Sequence, residues 1–125
     1  MKKVIATSAA PAAIGPYSQG IDGGSVVITS GQIPLDPATG AFAAGDIAGQ
    51  TRQCLKNVGA VLAEAGLGME NIIKTTVFLK DMNDFAAMNE VYATFFPGEP
   101  PARSAVEVAR LPKDALVEIE AIAVR

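Results

Sequence analysis

Apolar positions along the chain follow two periods, which divide it into six strands and two helices. A helical period begins after Asp46, a suitable N-cap, and stops at Gly66. A second helix is predicted from an N-cap at Asp81 or Asn83 to a stop at Pro97-Gly98. Alternating apolar and polar residues predict the strands. These are residues 2–7, a short segment at or just after Tyr17, residues 25–33, residues 71–80, the stretch after Pro100-Pro101 and the stretch after a reversal at residues 111–114.

The order of these elements predicts an α+β sandwich, in which two helices stack on one face of a mixed six-stranded sheet. The expected arrangement is ferredoxin-like or chorismate-mutase-like with extra N-terminal strands. In the last strand, small and branched residues alternate with a second row that contains Glu118, Glu120, Ile122 and Val124. A sheet face that mixes apolar residues with carboxylates is suited to a subunit interface with polar pockets at its rim.

Length and cysteine content favour one compact domain in a reducing compartment. The chain has 125 residues, half of them apolar, which predicts a single domain over residues 1–125. The one cysteine, Cys54, cannot form an intrachain disulfide, so a cytoplasmic protein is expected. Cys54 falls on the apolar stripe of the first helix, where a buried, inert thiol is expected. No stretch is apolar for long enough to span a membrane, and no membrane partner is expected.

The residue types that are missing exclude several classes of chemistry. The chain has no histidine, which excludes histidine-based triads and most zinc sites, and we expect no metal site. Its glycines do not form the spacing of dinucleotide-binding or phosphate-binding loops, and we expect no cofactor. The net charge of −3 disfavours binding to a nucleic acid backbone.

Arg103 and Glu118 are the candidate catalytic pair. They lie in the strands before and after the reversal at residues 111–114, and a hairpin of these strands would bring them close together. A guanidinium matches a carboxylate geometrically, and a glutamate can orient or deprotonate water, so the pair indicates a small anionic substrate attacked by water. The alternative is an ordinary ion pair between neighbouring strands.

Four motifs, in this order, span nearly the whole chain. They are Ala12-Ala13-Ile14-Gly15-Pro16-Tyr17-Ser18-Gln19-Gly20, Val27-Ile28-Thr29-Ser30-Gly31-Gln32-Ile33-Pro34, Lys74-Thr75-Thr76-Val77-Phe78-Leu79-Lys80-Asp81-Met82, and Pro101-Ala102-Arg103-Ser104 with Val108 to Pro112 and Val117 to Glu120. Together they resemble the Rid family, once called YjgF, and most of all its RidA branch. Several ordered motifs are more specific than any one of them.

The resemblance implies a homotrimer that hydrolyses 2-imino acids such as 2-iminobutanoate and 2-iminopropanoate to 2-oxo acids and ammonia. Its sheets would face inward, with a site in each cleft between neighbouring subunits. The resemblance also implies a role for each site residue: Arg103 holds the substrate carboxylate with the backbone around Ser30 and Gly31, Tyr17 and Asn89 line the pocket, and Glu118 orients the water. Ala105 is a further candidate for substrate binding. Activity should survive if the family uses the backbone at this position, whereas substrate range or rate would change if the side chain tunes the pocket.

The chain departs from the RidA pattern in two places, and two other functions stay open. Ala105 stands where the branch usually has cysteine, and the connection from Phe96 to Arg103 is shorter than in some relatives. One alternative is a noncatalytic trimer that binds small carboxylates through Arg103. The other is RNA cleavage, which the lack of histidine and of a basic surface disfavours.

Overall fold

A computed structural model describes residues 1–125 as six strands and two α-helices. Three short 3-10 turns, at Met69–Asn71, Met82–Asp84 and Pro112–Asp114, join some of these elements. The elements in chain order are β1 (Lys3–Ile5), β2 (Gly20–Asp22), β3 (Val26–Thr29), α1 (Ile47–Glu64), β4 (Ile72–Leu79), α2 (Phe85–Thr94), β5 (Ala102–Glu107) and β6 (Val117–Val124).

The six strands form one mixed sheet in the order β1-β2-β3-β6-β4-β5. The β4–β5 pair is parallel and the other pairs are antiparallel. The predicted α+β architecture, with two helices and a mixed six-stranded sheet, is therefore confirmed. The predicted β5–β6 hairpin is wrong, because β4 lies between these strands.

The first helix begins and ends where its sequence predicts. The Asp46 side chain accepts a hydrogen bond from the Gly49 N–H at 3.0 Å, and Gly66 follows the helix with a φ of 78°. The second helix begins slightly later than expected. Asp81 caps the short 3-10 turn before it, by accepting from the Asn83 N–H at 2.9 Å, and α2 then starts at Phe85.

Both helices pack on the same face of the sheet around one apolar core. Val77 in β4 and Ile119 in β6 are completely buried and pack in one cluster with Leu55 and Met88 from the helices. Cys54 is also completely buried there, as expected, and its Sγ lies 3.5 Å from the Val117 carbonyl oxygen. The row of β6 that was predicted to face the helices is buried throughout.

The opposite face of the sheet is exposed and partly apolar. Val26 and Ile28 of β3 and Ile122 of β6 are 42%, 44% and 37% exposed to solvent. Glu118 and Glu120 share this face because residues two apart in a strand point the same way. No helix is long and apolar enough to cross a membrane.

Candidate active site

The predicted site residues lie in two clusters on opposite faces of the sheet. Glu118 is directly opposite Phe78 across the β4–β6 pair, whereas Arg103 is directly opposite Thr75 across the β4–β5 pair. Phe78 and Thr75 are three residues apart in β4 and therefore point to opposite faces. Within one chain, the arginine and the glutamate cannot contact the same small substrate. This corrects the expectation that they meet across a hairpin.

The first cluster surrounds a pocket of about 480 Å³. One wall is the loop before β2, which contributes Pro11, Ala12 and Ile14. Glu118 lies on the opposite side of the pocket, which is formed by the sheet. The remaining lining residues are Tyr17, Ser30, Gly31, Gln32, Ile33, Leu35, Pro112 and Lys113. The structure thus brings together four of the predicted residues, namely Tyr17, Ser30, Gly31 and Glu118.

Ser30 and Gly31 are placed where the chain leaves the sheet after β3. The Ser30 N–H donates to the Gln19 carbonyl at 2.9 Å, and the Ser30 hydroxyl donates to the Ser18 carbonyl at 2.6 Å. Strand pairing resumes only at Gln32, which exchanges two backbone hydrogen bonds with Ile119. The backbone of Ser30 and Gly31 is thereby held beside the pocket.

Gly31 lies directly against the carboxyl group of Glu118. A Cβ atom built at Gly31 would come within 2.8 Å of both Cδ and Oε2 of Glu118. Real carbon–carbon contacts have an optimum near 3.5 to 4.0 Å. The glycine therefore leaves the space that the carboxyl group occupies.

Burial and a second carboxylate raise the pKa of Glu118. Burial is the larger cause, because it disfavours the charged form, and the neighbouring Glu120 adds repulsion of like charge. A carboxylate with a raised pKa is a stronger base than an ordinary one. This electrostatic environment suits a group that accepts a proton from water.

Tyr17 is less fixed than the other members of the first cluster. Tyr17 is 49% exposed, and its hydroxyl oxygen accepts a hydrogen bond of 3.4 Å from the Ile14 N–H. The phenol thus borders the pocket beside the loop wall and keeps its own proton available as a donor.

The second cluster centres on Arg103, which lies between two aromatic rings of α2 and an amide. The Arg103 guanidinium carbon is 4.8 Å from the ring centre of Tyr92 and 5.3 Å from that of Phe85. Arg103 Nη1 donates to Asn89 Oδ1 at 2.7 Å. No carboxylate of the chain lies within 4.0 Å of this guanidinium, so its other N–H groups can bind an anion.

A cleft of about 680 Å³ opens beside the guanidinium, between α2 and the connection that leads into β5. The buried Tyr92 hydroxyl is fixed by a hydrogen bond of 2.7 Å with the Thr75 hydroxyl. Burial raises the pKa of Tyr92, although this hydrogen bond and the charge of Arg103 oppose the rise. The ring therefore stays neutral and supports the cation through its face.

Ala105 does not contribute its side chain to either pocket. It is directly opposite Val77 in the β4–β5 pair and packs against the apolar core under the helices. The side chain at this position thus points away from the face that carries Glu118. The backbone groups of Ala105 belong to an edge strand and can still bind a ligand at that edge.

A model of the endoribonuclease L-PSP family matches residues 7–125. The chain belongs to this family. The Rid resemblance is confirmed, since Rid and YjgF are names of the same family. The curated 2-iminobutanoate/2-iminopropanoate deaminase of Salmonella typhimurium is 62% identical over 128 aligned residues, which cover 100% of this chain and 99% of the relative.

Solved structures of other members of the endoribonuclease L-PSP family have the same fold. The YjgF gene product of Escherichia coli is 60% identical, with a TM-score of 0.96 and coverage of 98% of both chains. The structure of Escherichia coli TdcF with bound serine is 56% identical, with a TM-score of 0.95 and the same coverage of both chains.

Sequence reasoning missed the aromatic support of Arg103 in this member of the L-PSP family. The family resemblance placed Asn89 in the pocket, but it gave Phe85 and Tyr92 no part in the site. The spacing was informative, because residues 85, 89 and 92 are four and three apart and hence share one helix face. The exposed Lys113, which lines the pocket near Glu118, was also missed.

Proposed function

We propose that the protein is a hydrolytic deaminase of small 2-imino acids, which it converts to 2-oxo acids and ammonia. The observation that carries this proposal is the 62% identity, over the full length of both chains, to a protein curated as 2-iminobutanoate/2-iminopropanoate deaminase. The two clusters support it, because they contain the groups that the reaction needs: a guanidinium with free donors and a carboxylate with a raised pKa.

The chemistry requires few groups because the substrate is already electrophilic. The Arg103 guanidinium binds the substrate carboxylate through two parallel hydrogen bonds, while Asn89 and the two aromatic rings keep it in place. Glu118 accepts a proton from water as the water oxygen bonds to the carbon of the C=N bond, and it passes this proton to the imine nitrogen. The resulting carbinolamine expels ammonia after proton transfer to nitrogen, which leaves the 2-oxo acid.

We further propose that each complete site forms between two subunits of a homotrimer. Arg103 and Glu118 lie on opposite faces of one sheet, so a single site that contains both must take them from different chains. The exposed Val26, Ile28 and Ile122 support burial of the Glu118 face in an assembly. A cyclic arrangement would repeat the same contact at every subunit boundary.

The direct test of activity couples the purified protein to a serine or threonine dehydratase, which releases an enamine that tautomerises to the 2-imino acid. We expect 2-oxo acid and ammonia to form faster than in the spontaneous hydrolysis. A noncatalytic carboxylate-binding protein would bind 2-oxobutanoate but leave that rate unchanged. RNA cleavage would require RNA binding that weakens steeply with salt, which the net charge of −3 disfavours.

Mixed assemblies test the division of the site between subunits. Arg103→Ala and Glu118→Gln proteins are each expected to be nearly inactive. If they are unfolded and refolded together in equal amounts, random cyclic trimers should recover about a quarter of the wild-type activity, since a quarter of the boundaries combine both intact residues. Sites formed within one chain would recover none. Arg103→Ala refolded alone serves as the control.

A further inference from the structure

A buried amide ties the loop wall of the Glu118 pocket to the sheet. Gln19 is 5% exposed, and its side-chain oxygen accepts a hydrogen bond of 2.6 Å from the Thr7 N–H. Its side-chain nitrogen lies 3.0 Å from the Thr7 carbonyl oxygen, 3.3 Å from that of Ala10 and 2.8 Å from that of Pro11. One side chain thus contacts both ends of residues 7–11.

These hydrogen bonds replace regular secondary structure in the loop. β1 ends at Ile5 and β2 begins at Gly20, so residues 7–11 have no strand partner. The other hydrogen bonds of this segment are local, such as the 3.1 Å bond from the Ala9 N–H to the Thr7 hydroxyl. Ala10 adds one methyl group to the core. Removing the Gln19 amide would leave this loop with little to fix its distance from the sheet.

Gln19 also connects the two walls of the pocket. Pro11, Ala12 and Ile14 form the wall on the loop side. The Gln19 carbonyl accepts the Ser30 N–H at 2.9 Å and so holds the segment that forms the wall on the sheet side. The side chain of this residue fixes one wall and its backbone fixes the other.

We propose that Gln19 is a positioning residue that sets the width of the substrate pocket by holding residues 7–11 against the sheet. The inference rests on the proposed function, because it assigns the loop wall to the deaminase site. Gln19 itself does not line this pocket and touches no reacting atom. It acts on the substrate only through the wall that it holds.

The test is the Gln19→Met variant, which keeps the length of the side chain and removes its hydrogen bonds. We expect KM for the imino acid to rise about tenfold while kcat stays within about threefold of wild type, because the wall contributes binding but no reacting group. Hydrogen exchange at the Thr7 amide should quicken by about tenfold or more, with β4 and β6 unchanged. The elution volume of the variant is also measured, to compare its assembly with that of wild type.

Asn71→Leu is the matched control. The Asn71 side chain also makes two hydrogen bonds to backbone, from the Gly68 N–H at 2.9 Å and to the Val124 carbonyl at 3.1 Å, and it does not line the pocket. Its loss should lower the thermal midpoint but leave KM unchanged. A purely structural role for Gln19 predicts the same pattern for Gln19→Met, and that result would overturn the inference. The inference would also be overturned if the elution volume of Gln19→Met differed from that of wild type at every protein concentration, because the variant would then have a different assembly.

One measurement on the wild type keeps the inference testable if Gln19→Met does not fold. The Thr7 amide should exchange much more slowly than that of the exposed Ala13, which has no hydrogen-bond partner. Equal exchange rates would mean that the Gln19 side chain does not hold residues 7–11 through these hydrogen bonds, and the inference would fail. Absence of deaminase activity in the wild type would instead refute the proposed function, whereas wild-type KM in an active Gln19→Met protein refutes only the role of Gln19.

Discussion

Gly31→Ala should reduce catalysis without unfolding the protein. The added Cβ would meet Cδ and Oε2 of Glu118 at 2.8 Å and Cγ at 3.1 Å. The backbone of Gly31 is not in the left-handed region, so alanine introduces no conformational strain there. The N–H of residue 31 is also retained. The substitution therefore changes one thing, which is the space available to the Glu118 carboxyl group.

The size of the effect follows from the displacement that relieves this contact. A carbon atom needs about 3.5 to 4.0 Å, so the carboxyl group must move by about 1 Å. Displacing a reacting group by about 1 Å costs on the order of 10²-fold in rate. The end of a glutamate side chain can swing aside, so we expect a loss of stability at or below the ordinary cost of overpacking, about 1 kcal/mol.

The assay is the dehydratase-coupled release of 2-oxobutanoate, measured together with the thermal midpoint. Gly45→Ala is the matched control. A Cβ at Gly45 meets no atom within 4 Å, and Gly45, like Gly31, does not have a positive φ that would strain an alanine. It should match wild type in both measurements. Wild-type kcat in Gly31→Ala would refute the reasoning, since it would mean that the position of the Glu118 carboxyl group does not limit the reaction.

The other predictions concern four residues. Arg103→Lys should lower kcat/KM by about ten- to a hundredfold, because an ammonium lacks the planar fork that binds a carboxylate; wild-type kcat/KM would contradict the assignment. Glu118→Gln should lower kcat by about 10²-fold with KM little changed. An equal loss of kcat in Glu120→Gln would contradict the assignment of Glu118 as the group that accepts a proton from water. Glu120→Gln should move the acid limb of the kcat/KM profile to lower pH, because Glu120 helps to raise the pKa of Glu118. Burial raises the pKa of Cys54 well above its usual range, so a thiol reagent should modify the unfolded protein but not the native one.

The parts of the fold that follow from local pattern were predictable from the sequence. Helix α1 has an apolar stripe, a side chain that caps its N-terminus and a glycine at its end, and it runs from Ile47 to Glu64 as expected. The alternation in β6 correctly separated the buried row from the row that contains Glu118. Strand β3 ended earlier than predicted, because Ser30 leaves the ladder to hydrogen-bond with Ser18 and Gln19. Such a tertiary contact leaves no mark on the alternation of residues 25–33.

Strand order was the step that local pattern could not supply. β5 and β6 are consecutive in the chain and joined by a reversal, which made a hairpin the simplest expectation. In the structure, Arg110 and Asp114 are bonded across this connection at 2.8 Å, and Lys113 and Asp114 both adopt positive φ values. The chain turns there without pairing the two strands, and β6 instead inserts between β3 and β4.

This strand order changes what the motifs can mean for catalysis. With β4 between them, Arg103 and Glu118 occupy opposite faces of the sheet, and each has supports of its own. Asn89 and the aromatic rings of α2 fix the arginine, whereas Gly31 makes room for the glutamate. The residue pair that the sequence suggested as one site is therefore divided between two separate clusters in the folded chain. If the protein is the deaminase proposed here, association of subunits is itself a step in building its active site, and activity should fall on dilution wherever the subunits separate.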